Sequence, residues 1–164
     1  MKTLFIGGIK SGKSKNAEDF ILSHTDKKPI YLATNEFFDK EMKERVQKHK
    51  EQRSNNFTTL EEPLKLTHAM QNTHTPVLLE CVSMWINNML YHKQTKEQII
   101  QEIKSLLSLD LDIVFVINDV SCSIVSENKL VRVFTDINGK VSQLLASSCD
   151  AVYNNIAGIS VKIK

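Results

Sequence analysis

The sequence predicts an α/β fold, a mostly parallel central sheet flanked by helices. Three observations carry that reading. Apolar, β-rich runs recur at Leu4 to Ile6, Ile30 to Ala33, Val77 to Leu79 and Ile113 to Ile117, each followed by a polar or turn segment and then a helical pattern. The runs are continuous rather than alternating, as strands covered on both faces require. A glycine-rich turn joins the first run to its helix. At 164 residues the chain suits a single domain spanning 1–164.

The first element, Thr3-Leu4-Phe5-Ile6, leads directly into Gly7-Gly8-Ile9-Lys10-Ser11-Gly12-Lys13-Ser14, a match to GxxxxGK followed by Ser or Thr. Glycines let the backbone curl so that successive N–H groups face phosphate oxygens, at the positive end of the helix that follows. Lys13 can then span the terminal phosphates and Ser14 can ligate magnesium. The pattern points to a bound nucleoside triphosphate. After the second strand, residues 39–53 read as a charged amphipathic helix with Met42, Val46 and His49 on one stripe. The third strand ends in Glu80, where a carboxylate at the ligand-facing edge of a parallel sheet can hold magnesium or its waters. Loops are expected at Gln94 to Lys96 and, after the fourth strand, at Asn118 to Asn128. The longest helix should begin after Glu127, with Leu130, Phe134, Ile137, Val141 and Leu144 or Leu145 forming its apolar face. Gly139 weakens it locally.

Charge and cysteine usage narrow the partners. With 21 basic and 19 acidic residues the net charge is +2, and no polybasic block marks a nucleic-acid or membrane surface. Small anionic ligands are expected, with no nucleic acid and no stable membrane insertion. No apolar run approaches the ~20 residues of a membrane helix, and the apolar stretch at the N-terminus is too short for a signal peptide, so a cytoplasmic protein is expected. Cys81, Cys122 and Cys149 are widely separated and form no CxxC pair; they read as reduced, packed thiols, with Cys122 in a loop the exception.

Among five histidines, His49 stands out because its stripe position could aim an imidazole at a nucleotide α-phosphate, with Lys50 and Arg53 beside it to offset a departing pyrophosphate. His24, His68, His74 and His92 have no partner pattern. The residues alone leave three readings open: a nucleotidyltransferase, a kinase of a small hydroxylated metabolite in which His49 positions phosphate, and a nucleotide-dependent binding module. Against the last, Asn128-Lys129-Leu130-Val131 lacks the Asp of NKxD, and the DxxG string Asp136 to Gly139 falls inside a predicted helix.

Several blocks together resemble the bifunctional adenosylcobinamide kinase / adenosylcobinamide-phosphate guanylyltransferase family of cobalamin biosynthesis. They are GGxxSGKS at 7–14, YLAT at 31–34, EMxxRVxxH from Glu41 to His49, LLEC at 78–81 with WINNML after it, the stretch from Ile124 to Ala146, and GIxVKIK at the end. The resemblance implies a RecA-like P-loop nucleotide-binding fold with a short antiparallel addition near the C-terminus, and a homotrimer. It implies phosphorylation of adenosylcobinamide by ATP or GTP, then transfer of GMP from GTP to adenosylcobinamide-phosphate through a GMP-histidine intermediate. Carried over by position, His49 is the nucleotidyl acceptor, and Gly7, Gly8, Ile9, Lys10, Ser11, Gly12, Lys13 and Ser14 hold the triphosphate. Ala33, Thr34, Asn35, Lys50, Glu51, Gln52, Arg53, Glu61 and Glu80 complete the nucleotide site, with Ser14 and Glu80 toward Mg2+. Two departures stand out. The family usually has RPxxW after the histidine, where this chain has Arg53-Ser54-Asn55-Asn56-Phe57; and a glycine-rich loop after Asn-Glu is replaced by Asn118 to Ser126, with Asp119 for the acid. Fewer glycines restrict positive-φ backbone and close approach of a bulky ligand.

Overall fold

The computed structural model describes residues 1–36, 55–122 and 124–164. Seven strands, β1 (Lys2–Gly7), β2 (Ile30–Ala33), β3 (Thr58–Glu61), β4 (Val77–Glu80), β5 (Ile113–Asn118), β6 (Ala151–Ile156) and β7 (Ile159–Lys162), form one sheet in the order β3-β2-β4-β5-β1-β6-β7. Every neighbouring pair is parallel except β6 and β7, which close an antiparallel hairpin. Five helices accompany them among the described residues: α1 (Lys13–Ser23), α2 (Leu66–Met70), α3 (Val82–Tyr91), α4 (Lys96–Ser108) and α5 (Lys129–Ser148).

The four strands expected from apolar runs are β1, β2, β4 and β5, and they occupy the sheet centre. Their continuity follows from burial on both faces. Along β5, Ile113, Phe115 and Ile117 enter one core with Trp85, Ile86, Ile103, Val141 and Leu145, while Val114 and Val116 enter the other with Phe5, Ala17 and Ile21. The first core lies under α2 to α5, and α1 packs over the second. The period of two thus sorts one uniformly apolar run onto two faces.

Helix boundaries follow local chemistry. Thr95 and Gln98 cap α4 reciprocally, the Gln98 N–H donating to Thr95 Oγ1 (3.2 Å) and the Thr95 N–H to Gln98 Oε1 (2.7 Å). Asn128 caps α5 by accepting from the Leu130 N–H at 2.9 Å, and the helix then runs unbroken through Gly139. Between β5 and α5, Asp119 Oδ1 accepts from the Ser121 N–H at 2.8 Å.

Three strands lie outside the four expected apolar runs. β3 is four residues long and exposed throughout, so no apolar run announces it. Phe57 seats its start: it is buried and meets Tyr31 edge-to-face, ring centroids 5.6 Å apart. A phenylalanine therefore fills the position where the resembled family usually has tryptophan. β6 mixes buried and partly exposed residues, and β7 is exposed at every position. The hairpin they make is the short antiparallel addition implied by resemblance. The helix expected over 39–53 lies outside the described residues.

Candidate active site

Parallel strands bring their C-terminal ends to one edge, and the predicted residues on them collect there. Gly7 ends β1 beside Asn118 of β5 on one side and Asn155 of β6 on the other. Ala33 ends β2, in register with both Glu61 of β3 and Glu80 of β4. Positions as far apart in sequence as Gly7 and Asn155 therefore share one rim of the sheet.

The loop from Gly7 to Ser14 is a tight curl. The Ser11 N–H donates to the Gly8 carbonyl (3.2 Å), Lys10 has φ 58° and Gly12 φ 90°. Two of its glycines are demanded by close approach. A Cβ on Gly7 would stand 2.5 Å from the Asn155 carbonyl oxygen, and one on Gly12 would stand 2.8 Å from Gly158 Cα. Gly8, by contrast, has no atom of the described residues within 4 Å of where its Cβ would stand. The β6–β7 hairpin thus presses on the loop from outside the central strands. Its Gly158 N–H donates to the Ser11 carbonyl (2.8 Å). Asn16, one turn into α1, donates from Nδ2 to Asn155 Oδ1 (3.0 Å), the Gly158 carbonyl (3.1 Å) and Ser160 Oγ (2.9 Å).

Inside that frame the polar side chains converge. Lys13 is only 7% exposed and folds back so that Nζ donates to the Gly8 carbonyl (3.2 Å). Ser14 Oγ donates to Glu80 Oε1 at 2.8 Å, joining the first turn of α1 to the end of β4. The buried Ser11 hydroxyl has no hydrogen-bond partner among the described residues. A curled backbone, a buried ammonium and a hydroxyl–carboxylate pair suit a polyphosphate and a hard cation held by oxygen.

Residues 3–163 match the family described as cobinamide kinase / cobinamide phosphate guanyltransferase. The chain belongs to that family. It is 36% identical to the bifunctional adenosylcobalamin biosynthesis protein CobU of Escherichia coli and 34% identical to the CobU of Salmonella typhimurium, in both cases with all of this chain and all of the relative covered. The similarly named CobP of Pseudomonas aeruginosa is 29% identical, with 98% of its length covered. Among solved structures, the flagellar accessory protein FlaH from Methanocaldococcus jannaschii superposes with a TM-score of 0.54 at 11% identity, over 99% of this chain and 77% of that one. A KaiC-like protein from Pyrococcus horikoshii gives 0.51 at 10%, over 93% and 69%. At such identities the likeness is one of fold, a mixed α/β architecture with a mostly parallel sheet related to P-loop nucleotide-binding folds.

The remaining predicted residues divide. Thr34 is fully buried: its hydroxyl donates to the Cys81 carbonyl (2.9 Å) and accepts from the Cys81 N–H (3.1 Å), so it fastens the end of β2 to the β4–α3 junction. Asn35 is half-buried, and Glu61 is exposed at the end of β3. Ile9 is exposed at the loop tip. His49, Lys50, Glu51, Gln52 and Arg53 lie outside the described residues.

Several residues that shape the edge were missed by sequence reasoning. Asn88 is buried and donates from Nδ2 to the Thr34 carbonyl (2.6 Å) and the Pro63 carbonyl (3.2 Å). Ser83 and Asn138 tie α3 and α5 to the end of β5: Ser83 Oγ donates to Asn138 Oδ1 (2.7 Å) and accepts from the Asn118 N–H (3.0 Å), and Asn138 Nδ2 donates to the Asn118 carbonyl (3.0 Å). The available signal was an asparagine inside each apolar helix face, where an unpaired amide would be costly. Of the cysteines, Cys122 is exposed as expected and Cys149 is buried. Burial, and then the neighbouring Glu80 charge, push the Cys81 thiol up to about 11, which keeps it neutral beside the site.

Proposed function

We propose that this chain phosphorylates the aminopropanol hydroxyl of adenosylcobinamide with ATP or GTP, then transfers GMP from GTP to that phosphate, giving adenosylcobinamide-GDP and pyrophosphate, with each nucleotide held by residues 7–14. The observation that carries this reading is the 2.8 Å contact of Ser14 Oγ with Glu80 Oε1, at the mouth of a curl whose lysine is already folded inward. Lys13 exchanges the Gly8 carbonyl for phosphate oxygens when a triphosphate enters. Ser14 and Glu80, as paired oxygen donors, fit Mg2+. When bound, that ion offsets charge on the β- and γ-phosphate oxygens.

In the first reaction the hydroxyl oxygen attacks the γ-phosphorus, the bond to the bridging oxygen breaks, the nucleoside diphosphate leaves and the hydroxyl proton passes to solvent. In the second, a neutral imidazole nitrogen of His49 attacks the α-phosphorus; a P–N bond forms as pyrophosphate leaves, with Lys50 and Arg53 offsetting its charge. The acceptor's phosphate oxygen then displaces His49. Ala33, Asn35, Glu51, Gln52, Glu61 and Glu80 complete the nucleotide site, and Thr34 acts by holding the β2 end in place. We further infer that residues 1–164 act as one RecA-like domain and that three copies assemble as a cytoplasmic homotrimer. The placement of β5 between the loop strand and the Glu80 strand supports the RecA-like reading. Among the described residues, no helix is long and apolar enough to cross a membrane.

The test is incubation with magnesium and GTP labelled at the α-phosphate, followed by denaturation. Acid-labile label on His49, absent in His49→Ala, is the expected result, with γ-phosphate transfer to adenosylcobinamide retained in the variant. Bound GTP without any adduct would reduce the protein to a kinase.

A further inference from the structure

A cavity of about 660 Å³ opens between α3 and α5. Met84, Leu90, Tyr91, Val131 and Phe134 supply its apolar walls, and Asn118 stands at its polar end. Among the described residues, no charged side chain lines it. We propose that this cavity is the subsite that holds the corrinoid body of the acceptor, a reading that rests on the function proposed above.

Three observations select this occupant. The first is continuity with the phosphate loop. Asn118 lines the cavity and is also the register partner of Gly7, while the next residue, Asp119, donates its N–H to the Gly7 carbonyl at 2.9 Å. A ligand seated there meets the triphosphate loop at its Asn118 end, where a reacting hydroxyl has to be. The second is chemistry. A triphosphate needs donors and cations, which the loop supplies and the cavity lacks; a macrocycle edged with methyl groups and carboxamides needs apolar walls and a few amides, here Asn87 and Asn118. The third is exposed apolar surface at the rim: Leu130 and Val131, in the first turn of α5, are 76% and 46% exposed. Apolar groups grouped beside a cavity mark a surface that something covers. The wall itself is held by the Ser83–Asn138–Asn118 bonds, which keep α3, α5 and the end of β5 in fixed relation.

Val131→Asp tests the assignment. An acid in the first turn of α5 suits the helix dipole, so the fold tolerates it, while a carboxylate facing the macrocycle has to be desolvated without a partner. The chain's single tryptophan, Trp85, lies on α3, and corrinoid absorption overlaps tryptophan emission, so quenching reports binding without turnover. Titration with adenosylcobinamide, corrected for inner filtering with free tryptophan, should show affinity weakened by about tenfold or more in Val131→Asp. KM for adenosylcobinamide should rise in parallel, GTP affinity should stay at the wild-type value, and Val131→Leu should bind as wild type does. Unchanged corrinoid affinity in Val131→Asp overturns the subsite. So does a change in oligomeric mass with corrinoid affinity intact, which would make the cavity an interface between copies. Equal losses for GTP and corrinoid would also overturn it, since the effect would then be general. If the wild-type protein itself neither binds nor modifies adenosylcobinamide, the proposed function falls first; if it does both and Val131→Asp is normal, the subsite alone falls.

Discussion

Gly12→Ala is the sharpest test of how the phosphate loop is held. Gly12 has φ 90°, in the region an L side chain enters at a cost of about 1–2 kcal/mol. The added Cβ would stand 2.8 Å from Gly158 Cα, a backbone atom with no side-chain freedom to yield. Relief requires the hairpin tip to move away, which stretches the Gly158 N–H bond to the Ser11 carbonyl (2.8 Å) and the Asn16 bond to the Gly158 carbonyl (3.1 Å). Neutral bonds of this kind contribute about 1 kcal/mol each, so the whole change should cost about 2–4 kcal/mol. With a urea dependence of about 2 kcal/mol per molar, the unfolding midpoint should fall by about 1–2 M. Gly8→Ala is the matched control: among the described residues no heavy atom would contact its Cβ, and its midpoint should be unchanged or slightly higher. Equal midpoints for Gly12→Ala and Gly8→Ala would refute the claim that the hairpin clamps the loop.

Three further outcomes are expected. Asn138→Ala leaves Ser83 and the Asn118 carbonyl without their buried partner and should cost about 2–3 kcal/mol in the same urea assay. Phe57→Ala removes a buried ring from Tyr31 and should cost about 3 kcal/mol or more, with β3 loosening first in hydrogen exchange. Burial raises the thiols of Cys81 to about 11 and Cys149 to about 12, above the ordinary 9.0, so folding holds these protons more tightly than the unfolded chain does. Their contribution to stability is therefore complete below pH 9 and lost as pH rises toward 11 and 12, and at pH 8 a thiol reagent should label exposed Cys122 well ahead of both.

What the sequence made legible was whatever left a periodic or compositional trace. β1, β2, β4 and β5 are uninterrupted apolar runs because two cores flank them, and the spacing from Leu130 to Leu145 marks α5 because one face is buried. The glycine curl was readable for a similar reason, since few residue types survive its backbone geometry. β3 and β7 left no such trace: a four-residue edge strand with every side chain exposed is specified by its neighbour's hydrogen bonds, not by its own composition. The asparagines at 16, 88, 138 and 155 gave little more: an amide within an apolar helix face stood out at 88 and 138, but not what it would bond. An amide is chosen there for partners on other elements, and those partners are visible only once the chain is folded. Glu80 lies between these cases: its position at a strand end was readable, but its pairing with Ser14, 66 residues away, was not.

The hairpin's hold on the phosphate loop makes the order of synthesis matter. The loop is written in the first 14 residues, yet the atoms that fix its curl belong to Asn155, Gly158 and Ser160, among the last ten. β1 likewise waits for both of its neighbours, β5 and β6, before it is a central strand at all. A chain still attached to the ribosome therefore carries the phosphate-binding motif without a finished cradle. Until residues 155–160 are made, the turns at Gly7 and Gly12 lack the hairpin contacts that hold them, so a chain cut before β6 should keep the glycine motif and lose its fixed curl.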